Sequence, residues 1–175
     1  VWAIAGEFVL YARHAGLAER FDLPWLSDLL EMEWQEMLVY NMPDGRVGEY
    51  VDLTDPLNQC LVLHPDLRLL QLHYPVHLYS PPEALHKPGQ YILLVYRDPV
   101  TLKVQFMDLA LWPALLLEQL KDGALTLAAL LPEAELFFPQ LSFAQLQAAA
   151  FDFFEQLRHR GILLGAMPQF IQTNT

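Results

Sequence analysis

An α+β fold, in which a helical annex leads into a winged helix-turn-helix-like domain with a small antiparallel sheet, is predicted by three features of this 175-residue sequence. Two strand-like runs, 91–97 and 100–108, are separated by the turn signal Arg97-Asp98-Pro99. Three helix-like runs follow, and strands then helices in that order suit a winged helix-turn-helix. Ahead of both lie two amphipathic helical patterns, at 2–19 and 24–42.

Taken from the start, Trp2, Ala5, Phe8, Val9 and Ala12 recur at helical spacing and are expected to face inward, with Gly16 loosening the helix end. In the second helix Leu26, Leu29, Leu30, Trp34, Met37 and Leu38 share a face, and Asp22 is placed to cap it. Residues 42–58 contain Pro43-Asp44-Gly45, Gly48 and Asp55-Pro56, which reads as a linker and sets a boundary near 57. Residues 59–80 are strand-like and too apolar to lie free. Pro65 and Pro75 interrupt them, so one or two strands are expected to pack with the hairpin.

The hairpin itself is Tyr91-Ile92-Leu93-Leu94-Val95-Tyr96 and the alternating Thr101-Leu102-Lys103-Val104-Gln105-Phe106. The first of the following helices covers 111–120, with Pro113 in its first turn, Lys121 in its last and Gly123 as the stop. Thr126 caps a short second helix that Pro132 limits. Ser142 and Gln145 form a capping box for the third, whose stripe is Phe143, Leu146, Ala150, Phe153 and Leu157, ended by Gly161. The expected organisation is a helical annex at 1–57, a winged helix-like domain at 58–166 and a loosely held tail at 167–175.

Charge limits the partners. The chain carries a net −11, and residues 91–164 hold five basic against eight acidic side chains. A DNA-reading helix needs Arg, Lys or Asn early in its length, whereas the third helix offers Gln145, Gln147, Asp152 and Glu155. Duplex DNA and anionic membrane are therefore disfavoured. The annex holds three basic and eleven acidic side chains, and Asp28, Glu31 and Glu36 on its second helix are candidates for docking a basic partner, with a solvated face as the competing reading.

The single cysteine, Cys60, excludes an internal disulfide and fits a reducing cytosol, so a cytoplasmic location is expected. No apolar run reaches the ~18 residues of a spanning helix, and no signal peptide is recognisable. The chain opens at Val1 without methionine, which fits the later part of a longer gene product. His64, His73 and His77 are the one group with a flavour of metal binding. Pro75 keeps that stretch extended, leaving the last two about 13 Å apart at ~3.3 Å per residue, so no metal and no cofactor is expected. No catalytic motif is present, and the chain is read as a non-enzyme.

His64-Pro65, Leu67, Leu69-Leu70 and Tyr74-Pro75-Val76, followed by the hairpin and the helix ending at Gly161, resemble the C-terminal part of the HvfC-like family. The similarity runs from about Glu7 to Gly165, and Trp25-Leu26-Ser27-Asp28-Leu29-Leu30-Glu31-Met32-Glu33-Trp34 is similar to that family's acidic helix. The family's N-terminal helical domain has no counterpart here. The resemblance implies a protein that works beside an iron-dependent oxidative enzyme of barrel fold in the maturation of ribosomally made peptides, as in methanobactin biosynthesis. The iron and the chemistry belong to that enzyme. The winged unit also resembles recognition elements such as the peptide chaperone of pyrroloquinoline quinone biosynthesis, in which a leader peptide adds a strand beside the hairpin.

The functional expectation is thus a partner protein that binds a precursor (leader) peptide and docks it on such an enzyme. Strand addition would use the second hairpin strand as the edge, with Thr101, Lys103 and Gln105 along it and Phe151 and Phe154 flooring the groove. Ordinary core packing is the competing reading of both aromatics. The alternative function is a DNA-binding regulator of winged helix-turn-helix type.

Overall fold

The computed structural model describes residues 2–43 and 45–168, so most of the expected tail, the side chain of Trp2 and Asp44 of the linker lie outside what is described. In chain order the elements are α1 (Trp2–His14), α2 (Leu17–Arg20), α3 (Leu26–Asn41), β1 (Leu61–Leu63), β2 (Leu67–Leu72), α4 (Pro81–Ala84), β3 (Tyr91–Arg97), β4 (Val104–Leu109), α5 (Leu111–Leu120), α6 (Leu127–Phe137), α7 (Phe143–His159) and β5 (Leu163–Ala166). The fold is α+β. Two compact units are interleaved in sequence, Val1–Asp44 with Asp66–Leu109 and Gly45–Pro65 with Ala110–Thr175.

The first unit is built on an antiparallel sheet of order β2-β3-β4. Its central strand, β3, buries Leu93, Leu94, Val95 and Tyr96 in succession, as its unbroken apolar run requires. On one face Leu70, Leu72, Leu93 and Val95 pack with Met32 and Val39 of α3, joined by Trp25, Leu29 and Met42. The helix is therefore part of the same core as the strands, and the boundary expected near 57 does not separate them. A Pro/Gly-rich linker in sequence marks a change of direction, not what the helix before it packs on.

Because α3 lies between α1 and the sheet, it needs two contact faces, and the inward side chains toward the strands are Asp28, Met32 and Val39. In α1, Val9 and Ala12 are buried as expected, but Phe8 is exposed. Gly6 lets α1 approach: a Cβ there would come 2.5 Å from the Trp34 ring. Asp22 does not cap α3; it sits in the left-handed region with φ 54°, and Trp25 occupies the N-cap without a side-chain hydrogen bond.

Buried carboxylates fasten α3 to β2 at both ends. Near the helix start, Asp28 accepts hydrogen bonds from the backbone N–H groups of His73 and Tyr74, at 2.6 and 2.7 Å, just beyond β2. At the other end, Arg97 pairs with buried Asp66 just before β2 and donates to the carbonyl of Met42 at 3.0 Å, where α3 stops. Sequence spacing shows neither clamp.

In the second unit α5 and α6 both pack on α7, whose buried residues are Leu146, Ala150, Phe153, Phe154 and Leu157. Phe143 at the start of the expected stripe is exposed. The cap at Thr126 forms, the box of Ser142 and Gln145 forms, and Gly123 and Gly161 take φ values of 65° and 67° where the helices α5 and α7 end. Pro132 lies inside α6 without ending it. β1 pairs antiparallel with β5, and Val51 bridges to Ala166. The hairpin and the three helices expected of a winged helix-turn-helix are all present, but the hairpin belongs to the first unit and the helices to the second. None of the described helices is long and apolar enough to cross a membrane.

Candidate peptide-binding edge

β4 ends the three-stranded sheet, and among the described residues no strand pairs with its outer side. Which of its backbone groups point outward follows from register. The N–H of Asp98 donates to the carbonyl of Lys103 at 2.9 Å, and the residues opposite each other continue as Tyr96 with Gln105 and Leu94 with Met107. Hydrogen-bonded and non-hydrogen-bonded pairs alternate in an antiparallel ladder. Gln105, Met107 and Leu109 therefore spend their backbone groups on β3, and the outward N–H and C=O groups belong to Val104, Phe106 and Asp108. The same alternation applies to β2, because the N–H of Arg97 donates to the carbonyl of Asp66 at 3.1 Å, so β3 bonds β2 through its odd-numbered residues and β4 through its even-numbered ones.

This corrects the expected edge. The strand begins at Val104, so Thr101 and Lys103 lie in the exposed loop before it, and Leu102 of the same alternating run is an exposed loop residue with φ 57°. Gln105 is exposed on the strand, across from Tyr96, but its N–H faces inward. Alternation of polar and apolar residues gave the faces of the sheet; it carries no information about which amides point to the edge.

Along the edge, Val104 is half-buried against the α3 core, Phe106 is 37% exposed beside buried Val95, and Asp108 receives the ring of His77 through Nε2 at 2.8 Å. The His77 side chain is nearly enclosed and meets the Tyr91 ring edge-on at 6.1 Å. His73 instead reaches toward Asp28 from an exposed position, 3.6 Å away. Among the described residues no three His, Cys, Asp or Glu side chains converge as metal ligands would.

The loop that delivers β4 is held by one side chain. The Asp98 carboxylate accepts from the N–H groups of Thr101 and Val100, at 2.7 and 2.9 Å, and its carbonyl accepts from the N–H of Leu102 at 2.9 Å. The Thr101 amide, then its hydroxyl, and then the Val100 amide hold the Asp98 carboxyl below its ordinary value of 3.8. A depressed folded pKa contributes stability that is present above the ordinary value and lost as pH falls below it through the folded one. Asp98→Asn is therefore expected to flatten the loss of hairpin order below about pH 4, read from the amide resonances of 99–103. An acid profile identical to that of the unaltered chain would contradict this anchoring.

The remaining candidates separate. Phe154 is 3% exposed and packs in the α7 core, while Phe151 is half-buried and lines a cleft with Leu53, Pro56 and Arg158. Both belong to the second unit and the hairpin to the first. Of the acidic trio, Asp28 is only 8% exposed and is consumed by the clamp, Glu31 pairs with Arg13 at 2.8 Å and accepts from Gln35, and Glu36 is half-buried. Asp28 is withdrawn as a docking residue, because its carboxylate already serves two backbone donors.

A family model described as the HvfC C-terminal domain matches residues 65–158, more than half of the chain, from the start of β2 to the end of α7. No protein of curated function matches significantly.

Proposed function

Because the chain belongs to the HvfC C-terminal domain family, which is associated with partner proteins, we propose that it is a non-catalytic partner that binds a ribosomally made precursor peptide and docks it on an iron-dependent oxidative enzyme. The observation that carries the reading is the unpaired outer side of β4. An extended peptide laid there would pair its backbone with Val104, Phe106 and Asp108, which gives affinity with little demand on sequence. Side chains on alternate residues of the peptide would then fall beside Phe106 and Asp108, one apolar position and one acidic position two residues apart.

β4 is favoured over β2 as the receiving edge because Gln105, Phe106 and Asp108 are exposed, whereas Leu67, Leu70 and Leu72 of β2 are buried. Charge weighs against the duplex-DNA alternative, since α7 presents Asp152 and Glu155 to solvent and gains cations only at its C-terminal end.

Reconstitution tests this division of labour. With a candidate precursor peptide and a candidate iron-dependent oxidative enzyme, peptide oxidation is expected to require the chain, and the chain with peptide alone is expected to leave the peptide unmodified. Equal oxidation rates with and without the chain would contradict a presenting role.

A further inference from the structure

In the second unit, α5 and α6 rest on α7 and leave between themselves a groove of about 270 Å³. Trp112, Ala134 and Phe138 form its floor, and Leu115, Leu130 and Phe137 its walls. The floor is fixed: the Trp112 indole N–H donates to the Leu146 carbonyl at 3.0 Å and its ring meets Phe138 edge-on at 5.7 Å. The walls are open, with Leu115 36% and Phe137 69% exposed. A preformed apolar groove of this kind suits recognition of a partner.

The geometry points to a basic amphipathic helix of a partner protein as the occupant. Backbone chemistry selects a helix. Both walls are helices whose backbone groups are mostly spent within the helix or, at Ala128, on the Leu57 carbonyl, so an extended segment laid there would find few partners for its own N–H and C=O groups, whereas a helix arrives with them satisfied. Its ridge of apolar side chains would pack into the valley between two helices as a further helix of a bundle does.

Charge selects a basic one. Among the described residues Glu133 is the only charged one lining the groove, and Glu118 and Glu135 stand on the same two helices. The single cation of residues 110–137, Lys121, is held by Glu118 at 2.7 Å. A Lys or Arg flanking the apolar anchors of the incoming helix would meet Glu133, and an acidic helix would be repelled. This surface is independent of strand addition at β4.

The test uses the full chain and a fluorescently labelled helical peptide with Leu along one face and Lys along the other. Two controls accompany it, the same peptide with Glu for Lys and a version broken by proline. The Lys peptide is expected to bind, the Glu and proline versions at least about tenfold more weakly. Leu115→Asp should weaken the Lys peptide by about 30-fold or more, as for loss of a central anchor. That substitution adds negative charge, so the loss would not come from a weaker general attraction. Glu133→Lys should lower both affinity and its salt dependence. Phe106→Pro at the β4 edge should leave this binding unchanged, which keeps the two surfaces distinguishable.

Equal binding of the Glu peptide, or binding indifferent to Leu115→Asp, would overturn the proposal. So would concentration-dependent self-association in sedimentation that Leu115→Asp abolishes, since the groove would then belong to a second copy of the chain. If Leu115→Asp does not fold, Phe137→Ser, on a more exposed wall, serves in its place.

Discussion

Replacing Asp66 with alanine is expected to destabilise the first unit by about 3–5 kcal/mol, the cost of removing one partner of a buried ion pair. Asp66 is 2% exposed, and its carboxylate accepts from Nε of Arg97 at 3.0 Å and also pairs with the guanidinium's terminal nitrogen. Without it, Arg97 would remain enclosed at the end of β3 and would lose this buried carboxylate. The damage would reach α3, because the same guanidinium donates to the Met42 carbonyl where that helix ends. A double substitution, Asp66→Leu with Arg97→Met, removes both charges and should recover much of the loss. Denaturant titration monitored through α3 and the sheet measures both. A fall of less than about 1 kcal/mol for Asp66→Ala would mean that solvent reaches the pair, and the clamp would be unimportant.

The second large effect is on binding. Phe106→Pro is expected to abolish precursor-peptide binding, a loss of at least about 100-fold, while the hairpin stays folded. Proline removes the outward N–H at the centre of the edge and fixes a backbone that an unpaired edge strand tolerates. Phe106→Ala separates backbone from side chain: it keeps the donor, and with Phe106 partly exposed it should cost only the apolar contact, about 1 kcal/mol. Gln105→Pro behaves differently, since its N–H bonds β3, and it should disrupt the hairpin itself. Equal affinity of the unaltered chain and a folded Phe106→Pro variant, measured by calorimetry, would place the peptide elsewhere.

Much of the fold was legible because local chemistry specifies it. The box of Ser142 with Gln145, the cap at Thr126 and the stops at Gly123 and Gly161 are contacts between residues close in sequence, and all appear where the sequence puts them. The α+β class and the hairpin were legible from periodicity. What was not legible depends on long-range placement. Asp28 looks like a surface acid on a helix until the strand 45 residues later brings two backbone donors to it. The buried face of α3 was misjudged because a helix between α1 and a sheet has two apolar faces and no single stripe. β4 is an outer strand of its sheet, but Lys103 and Gln105 were chosen by side-chain alternation, whereas the outward amides are set by the ladder's hydrogen-bond phase. That the hairpin and the helices fall in different compact units was not legible for the same reason: element order is written in the sequence, while membership of a compact unit is decided by packing.

The most direct measurement of the central claim is residue-resolved amide hydrogen exchange of the chain with and without its precursor peptide. Strand addition at β4 predicts that the peptide slows exchange at Phe106 and at its outward neighbours Val104 and Asp108, with little change at Gln105 and Met107, which β3 already protects. Uniform protection along 104–109, or none, with the peptide bound would contradict it.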